Sequence, residues 1–274
     1  MYALATEQLK QRLLIRLALV VLTLTSTGCS TTHIVYLGSA GYLIDSADSK
    51  VIIDAPYSDY VARFEVPVAD KPIISALKTA TKPFNNIQLI LISHSHPGHF
   101  DAALLAEHLM SSPDTVLVAN GTVVDQVLKH VDSALNITNQ IRLVSIEQDF
   151  ESTELIASGL PLTVTRFPHW VRENSDDEGY VYSYQFAIGG FEYLYLLSPD
   201  SYVAPSPVDV AFSAEPLNAI TPQHLVLIHK NGKEQIATLS RQVSALQHVS
   251  FLTEAMESIN LRKNLLGKVS RVEQ

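Results

Sequence analysis

Short apolar runs and helical patterns alternate along the first half of the chain. Runs rich in β-branched residues predict strands at 33–37, 41–44, 50–55, 89–92, 115–119 and 141–146. Apolar positions three and four residues apart predict helices at 73–81, 102–110 and 123–131. The run at 89–92 is apolar at every position, which is typical of a strand buried on both faces. This alternation predicts an α/β fold.

Predicted strands dominate the second half of the chain. They are expected at 162–167, 180–188, 191–197, 208–213 and 224–228. Gly189 and Gly190 separate the second of these from the third, and a two-glycine connection is typical of a β-hairpin. The segment 233–260 has helical periodicity and predicts a final helix.

Three histidines follow directly after the buried strand at 89–92. His94 and His96 are two residues apart, so an extended backbone presents both imidazoles on one side. Pro97 disfavours a helical conformation at His96, and Asp101 is a suitable N-cap for the next helix. His99 lies between them, after a turn at Gly98. Neutral imidazole is the commonest protein ligand of metals, so this loop predicts a zinc site.

The segment His94-Ser95-His96-Pro97-Gly98-His99 resembles the His-x-His-x-Asp-His signature of the metallo-β-lactamase fold. Gly98 stands where that family has an aspartate. The pair His169-Trp170 is similar to the branch that contains the ascorbate-phosphate lactonases and the N-acyl phosphatidylethanolamine phospholipase D enzymes. The resemblance implies a four-layer αββα sandwich.

The same resemblance implies a set of site residues drawn from the ends of several strands. The metal ligands that it implies are His94, His96, His169, His99, Asp200 and His229. Asp200 would also be catalytic by orienting the attacking water, and Asp54 would support the loop by hydrogen bonds without binding metal. His224 is the nearest alternative to His229, but it begins its strand and is therefore expected at the opposite end of the sheet.

The resemblance also implies an activity, namely hydrolysis of an ester, lactone or phosphodiester bond by a metal-bound water. His94, His96 and His169 would hold one zinc firmly. The second site would be weak or absent, because the glycine at position 98 has no ligand atom. Manganese and iron also occupy sites made of histidine and aspartate. The alternative is a catalytically silent metal-binding envelope lipoprotein used for recognition or structure. Five retained histidine positions and one aspartate favour the hydrolase.

Composition and charge limit the partners of the chain. With 274 residues, 47% of them hydrophobic, the chain can form one large domain at 29–274. Without residues 1–28 it has 16 Lys and Arg against 27 Asp and Glu, a net charge of −11. Nucleic acid is therefore not an expected partner. A small molecule is expected instead, lipid-like or phosphorylated, and the oligomeric state is left open.

The first 28 residues differ from the rest of the chain. Three basic residues precede the apolar run 17–24, which is too short to span a bilayer and predicts a signal peptide. Cys29 is the only cysteine, and its context resembles a bacterial lipobox, with Ser26 where the usual leucine would stand. A lipid on Cys29 would anchor a periplasm-facing lipoprotein in the bacterial cell envelope. Ser30 favours the outer membrane.

Overall fold

The computed structural model describes two β-sheets packed face to face and three helices on the outer face of one of them. The residues that it describes are 31–54, 69–169, 179–197, 207–215, 217, 220–228, 248–252, 254–264 and 268–272.

Strands are numbered in chain order. The first six are β1 (Thr31–Gly38), β2 (Gly41–Asp45), β3 (Lys50–Ile53), β4 (Leu89–Leu91), β5 (Val116–Ala119) and β6 (Ile141–Leu143). The next seven are β7 (Ser152–Ala157), β8 (Leu160–Pro168), β9 (Tyr180–Ile188), β10 (Phe191–Leu196), β11 (Val210–Ser213), β12 (His224–Leu227) and β13 (Val249–Phe251). The last two are β14 (Ser258–Lys263) and β15 (Val269–Val272).

The two sheets are built from different parts of the chain. Sheet A has the strand order β15-β14-β1-β2-β3-β4-β5-β6, and sheet B has the order β13-β12-β11-β10-β9-β8-β7. Strands β3 to β6 are parallel to one another, and so are β10 to β13. Their carboxyl ends meet at one edge of the sandwich, because the Tyr182 N–H of β9 donates to the Ser93 carbonyl just beyond β4. This edge is where side chains can be collected from both sheets.

Helices cover only the outer face of sheet A in the described part of the chain. They are α1 (Lys71–Lys78), α2 (Ala102–Ser111) and α3 (Gly121–Leu128), and a short 3-10 helix occupies Thr138–Gln140. One apolar cluster joins these helices to sheet A, and a second fills the space between the sheets. Both faces of β4 are therefore buried, in agreement with its uninterrupted apolar sequence.

The predicted α/β sandwich is confirmed, whereas the end of the chain was predicted wrongly. The helical pattern of 233–260 fails at 249–251, where β13 pairs with β12, and at 258–260, where β14 pairs with β1. Residues 233–247 lie outside the described residues. Strands β7 and β15 were not predicted, and both lie at an edge of a sheet. In the described part of the chain, no helix has the length and apolar character needed to cross a membrane.

Candidate metal centre

Three histidines converge at the edge where the carboxyl ends of the strands meet. His94 and His96 lie on the loop after β4, and His169 follows the last residue of β8. One ring nitrogen from each lies within 4.8 Å of the other two. His94 is buried, whereas His96 and His169 are half-buried. The rings of His96 and His169 have centroids 5.1 Å apart, so strands of different sheets contribute to one cluster.

The loop is held in shape by its own backbone. The His99 N–H donates to the His96 carbonyl over 3.1 Å, which closes a turn. Gly98 has φ +100° within this turn, a conformation that side chains disfavour. The carboxylate of Asp101 then accepts a hydrogen bond from the Leu104 N–H over 2.9 Å and begins α2. The predicted turn and N-cap are both present.

Asp54 is the hydrogen-bonding centre beneath the histidine loop. It follows β3, is fully buried, and has φ +50°. Its Oδ1 accepts the Ser93 N–H over 2.8 Å. Its Oδ2 accepts from the Ser93 hydroxyl at 2.9 Å, the His99 Nδ1 at 2.6 Å and the Tyr195 hydroxyl at 2.6 Å. A single carboxylate therefore joins β3, the histidine loop and β10.

These hydrogen bonds determine which ring nitrogen carries the proton in His94 and in His99. The hydroxyl proton of Ser93 is donated to Asp54, so the Nδ1 of His94, 2.9 Å from the same hydroxyl, acts as the donor to Ser93. The Nδ1 of His99 likewise donates to the Asp54 carboxylate. In a neutral imidazole the other nitrogen, Nε2, then has the lone pair. Donation from Nδ1 to a supporting group is the usual arrangement of metal-binding histidines.

Tyr195 and Ser93 are site residues that the sequence analysis missed. Burial raises the pKa of the Tyr195 phenol well above its usual value, and the neighbouring Asp54 carboxylate adds to this effect. Tyr195 therefore remains protonated and acts as a donor to Asp54. Ser93 could have been noticed, since it lies between the buried strand and His94. Tyr195 carries no such signal, because its role depends on contact between the two sheets.

The structure separates His99 from the three-histidine cluster. Its ring centroid is 4.1 Å from that of His94, but it has no nitrogen in the group of ligand atoms within 4.8 Å. Asp200, His229 and Cys29 lie outside the described residues. His224 begins β12, where its Nε2 lies 2.9 Å from the Ser250 hydroxyl. His108 lies on the buried face of α2, and its Nδ1 donates to the Leu77 carbonyl over 2.6 Å.

A cavity of about 320 Å³ lies beyond the carboxyl ends of β5 and β6, and its described lining includes none of the three histidines. Its walls include Arg166, Tyr180 and Tyr182. The Arg166 guanidinium lies 4.0 Å from the centre of the Tyr180 ring and donates to Asp149 over 2.9 Å. Tyr182 connects the cavity to the histidine loop through its backbone bond to Ser93. The walls thus offer aromatic rings and a guanidinium.

Comparison with known proteins places this site within a family. The sequence profile described as "Beta-lactamase superfamily domain" matches residues 33–213. A candidate metal-dependent hydrolase from Parabacteroides distasonis ATCC 8503 is similar in structure, with 14% sequence identity, a TM-score of 0.50, and coverage of 82% of this chain and 94% of that one. A metallo hydrolase from the archaeon Ignicoccus hospitalis is 16% identical with a TM-score of 0.51, covering 84% of this chain and 98% of that one.

A search of curated protein sequences finds no match. The family profile covers more than half of the chain, and it includes β1 to β11 and all three histidines of the cluster. The chain therefore belongs to the beta-lactamase superfamily domain family and has the metallo-β-lactamase fold.

Proposed function

We propose that this protein is a zinc-dependent hydrolase that cleaves an ester, lactone or phosphodiester bond in a small molecule. The observation that carries the proposal is the convergence of His94, His96 and His169 at the carboxyl edge of both sheets. The similar structures named as metallo hydrolases make hydrolysis the first activity to test, although their low identity supports the fold alone.

The three histidines fit a divalent ion in donor type and in spacing. Zinc binds imidazole nitrogen at about 2.0–2.1 Å, so three nitrogens around one ion lie roughly 3.3 Å apart. The nitrogens of the cluster are within 4.8 Å of one another, and small ring rotations would bring them to that spacing. The hydrogen bond from His94 to Ser93 directs the opposite nitrogen of that ring away from its support. This is the arrangement that a metal ligand requires.

A divalent ion held there would supply Lewis acidity and lower the pKa of a water ligand to about 7. The chain's own residues prepare the site for it. Asp54 and Ser93 fix the orientations of His94 and His99 through hydrogen bonds of 2.6–2.9 Å. The substrate would bind in the cavity beside Tyr182, with its own polar groups near Arg166.

The second metal position is proposed to be weak. Gly98 offers no ligand atom, so from the histidine loop only His99, which lies beside the cluster, would contribute to it. Asp200 and His229 would complete this position, with Asp200 orienting the attacking water. A silent protein that binds metal for recognition is the second candidate, and the glycine at position 98 is the observation that favours it.

The test combines metal content with turnover in the purified full chain. Elemental analysis is expected to find one zinc per chain, and hydrolysis of a chromogenic phosphodiester and of a lactone is assayed in parallel. His169→Ala is expected to lose both the zinc and the turnover. His130→Ala is the matched control, because His130 is exposed at the end of α3, away from the cluster.

The outcomes separate the two candidates. Zinc bound by His169 without turnover on either substrate favours the silent protein. A chain that takes up no divalent ion, or loses none in His169→Ala, contradicts the metal centre itself.

We also propose that the protein is an envelope lipoprotein anchored through Cys29. The support is the sequence of residues 1–30 alone. Labelling cells with a radioactive fatty acid tests it, since wild-type chain should incorporate label and Cys29→Ser should not.

A further inference from the structure

The turn between β1 and β2, residues 38–41, packs directly against the histidine loop. The Ala40 N–H donates to the Gly98 carbonyl over 3.2 Å. The Tyr36 hydroxyl donates to the Ser39 carbonyl over 2.9 Å. One bond joins the turn to the histidine loop, and the other holds Ser39 against β1.

Ser39 has an unusual conformation for a residue with a side chain. Its φ is +52°, and the residue is only 4% exposed. Glycine would adopt this backbone more readily. The turn therefore holds a serine in a backbone conformation that a glycine would adopt at lower cost.

Ser39 and Gly98 occupy the same small space. A β-carbon built on Gly98 would lie 2.7 Å from the Ser39 Oγ, too close for any real contact. Apart from Gly98 and its two chain neighbours, no other atom of the described residues lies within 4 Å of that β-carbon. The Ser39 hydroxyl therefore stands where a side chain at position 98 would begin.

We propose that Ser39 supplies, from the β1–β2 turn, the polar group that position 98 of the histidine loop lacks. Its hydroxyl would then lie within reach of an ion held by His94, His96 and His169. A neutral hydroxyl would then stand in for the charged carboxylate of the aspartate that the family has at position 98. This inference rests on the proposed function, because it requires a metal centre at the three histidines.

The first experiment replaces the oxygen with sulfur. In a Cys29→Ser background, Ser39→Cys creates the only thiol of the chain. Thiolates bind cobalt(II) and give a charge-transfer absorption that imidazole ligands do not give. We expect this absorption when Ser39→Cys is titrated with cobalt(II), beside the visible bands that report cobalt binding.

Ser46→Cys is the matched control. Ser46 is also a nearly buried serine, 6% exposed, and it lies in the β2–β3 turn at the other end of β3 from Asp54. It should bind cobalt through the histidines and show no charge-transfer absorption. Visible bands without charge-transfer absorption in Ser39→Cys would overturn the inference and leave the metal centre standing. Absence of all cobalt bands in wild-type chain would overturn both.

The second experiment tests the shared space. Gly98→Asp is expected to lower zinc affinity severalfold, because the new side chain displaces the Ser39 hydroxyl and strains a left-handed backbone. Ser39→Gly combined with Gly98→Asp should recover at least part of this loss. Equal zinc affinity in Gly98→Asp and wild type would show that the two positions do not compete.

Gly189→Ala is the control for backbone strain alone. Gly189 also has a positive φ, +58°, and a β-carbon there would lie 2.8 Å from the Ser46 Cβ. It lies in the turn of the β9–β10 hairpin, at the opposite end of β10 from Tyr195. It should lower thermal stability with zinc affinity unchanged within twofold.

Discussion

Asp54 shows how one residue can organise a site without being a ligand. Its carboxylate accepts hydrogen bonds from Ser93, His99 and Tyr195, all inside the protein. Its left-handed backbone, with φ +50°, is tolerated because these bonds determine its position.

Asp54→Asn is expected to weaken metal binding by about 10- to 100-fold, the usual effect of losing a supporting partner of metal-binding histidines. The amide provides a donor where Oδ1 or Oδ2 now accepts, so at least one buried donor loses its partner. Zinc affinity measured by competition with a chelating dye checks this.

Asp45→Asn is the control for Asp54→Asn. Asp45 forms a partly exposed ion pair with Lys50, with 30% of its side chain accessible. Its replacement should leave zinc affinity unchanged. Equal losses in the two variants would contradict a specific role for Asp54.

His224 is expected to make the fold sensitive to acid. Its pKa is lowered to about 4 by burial, with smaller contributions from the charges of His248 and Arg271. An unfolded chain binds this proton near pH 6.5, so between about pH 6.5 and 4 the unfolded state binds more protons. The free energy of unfolding should therefore fall by about 3 kcal/mol as the pH drops through this range.

Urea unfolding at pH 7.5 and 4.5 checks the effect of His224. His224→Gln should lose less stability on acidification than wild type, whereas His130→Gln should behave as wild type. Burial also lowers the pKa of His108, so part of the acid sensitivity should remain in His224→Gln. Identical pH dependence in wild type and His224→Gln would contradict the assignment.

At the scale of elements, the N-caps of α2 and α3 provide a matched pair. Asp101 accepts the Leu104 N–H, and Asn120 accepts the Val123 N–H, each over 2.9 Å. Replacing either by alanine should lower the free energy of unfolding by about 1 kcal/mol. Only Asp101→Ala should also weaken zinc binding, because Asp101 lies two residues after His99 and starts the helix that follows the histidine loop.

Chemical denaturation and zinc titration of Asp101→Ala and Asn120→Ala separate the two effects. A loss of zinc affinity in both variants would mean that general stability, and not the start of α2, controls the loop.

Local patterns were sufficient to predict most elements near the site. The run 89–92 predicted β4. Pro97, Gly98 and Asp101 predicted the turn and the start of α2, because each of them restricts or caps the backbone next to it. Strands β7, β13, β14 and β15 were missed. Three of them lie at an edge of a sheet, and the fourth, Ser258–Lys263, pairs with β1 far away in the sequence. Helical periodicity at 249–260 was misleading for this reason.

The support of the site could not be predicted from local sequence. Tyr195 and Asp54 are 141 residues apart, yet they share a hydrogen bond because the two sheets face each other. Ser39 likewise contacts Gly98 only through the packing of a turn against a loop. Three of the predicted histidines meet in space, whereas His99 remains a neighbour of the cluster.

At the scale of the whole molecule, a bound ion should stabilise the fold. The three histidines come from both sheets, so an ion would cross-link the sandwich at one edge. Free zinc at 100 times its dissociation constant should add about 2.7 kcal/mol to the free energy of unfolding, provided that the unfolded chain does not bind it.

Thermal unfolding with zinc and with a chelator checks this coupling. Wild-type chain should melt at a higher temperature with zinc, and His169→Ala should not respond. A similar response in His169→Ala would place the stabilising ion elsewhere.

The direction of β1 determines how the protein would stand on a membrane. Thr31 is two residues from Cys29, and β1 runs from there to Gly38, beside the turn that contacts the histidine loop. Eight residues of strand span about 26 Å. A lipid on Cys29 would therefore act as a short tether under one end of the sandwich, with the histidines raised roughly one strand length above the bilayer and facing away from it. Such an orientation favours dissolved substrates over lipids of the anchoring membrane.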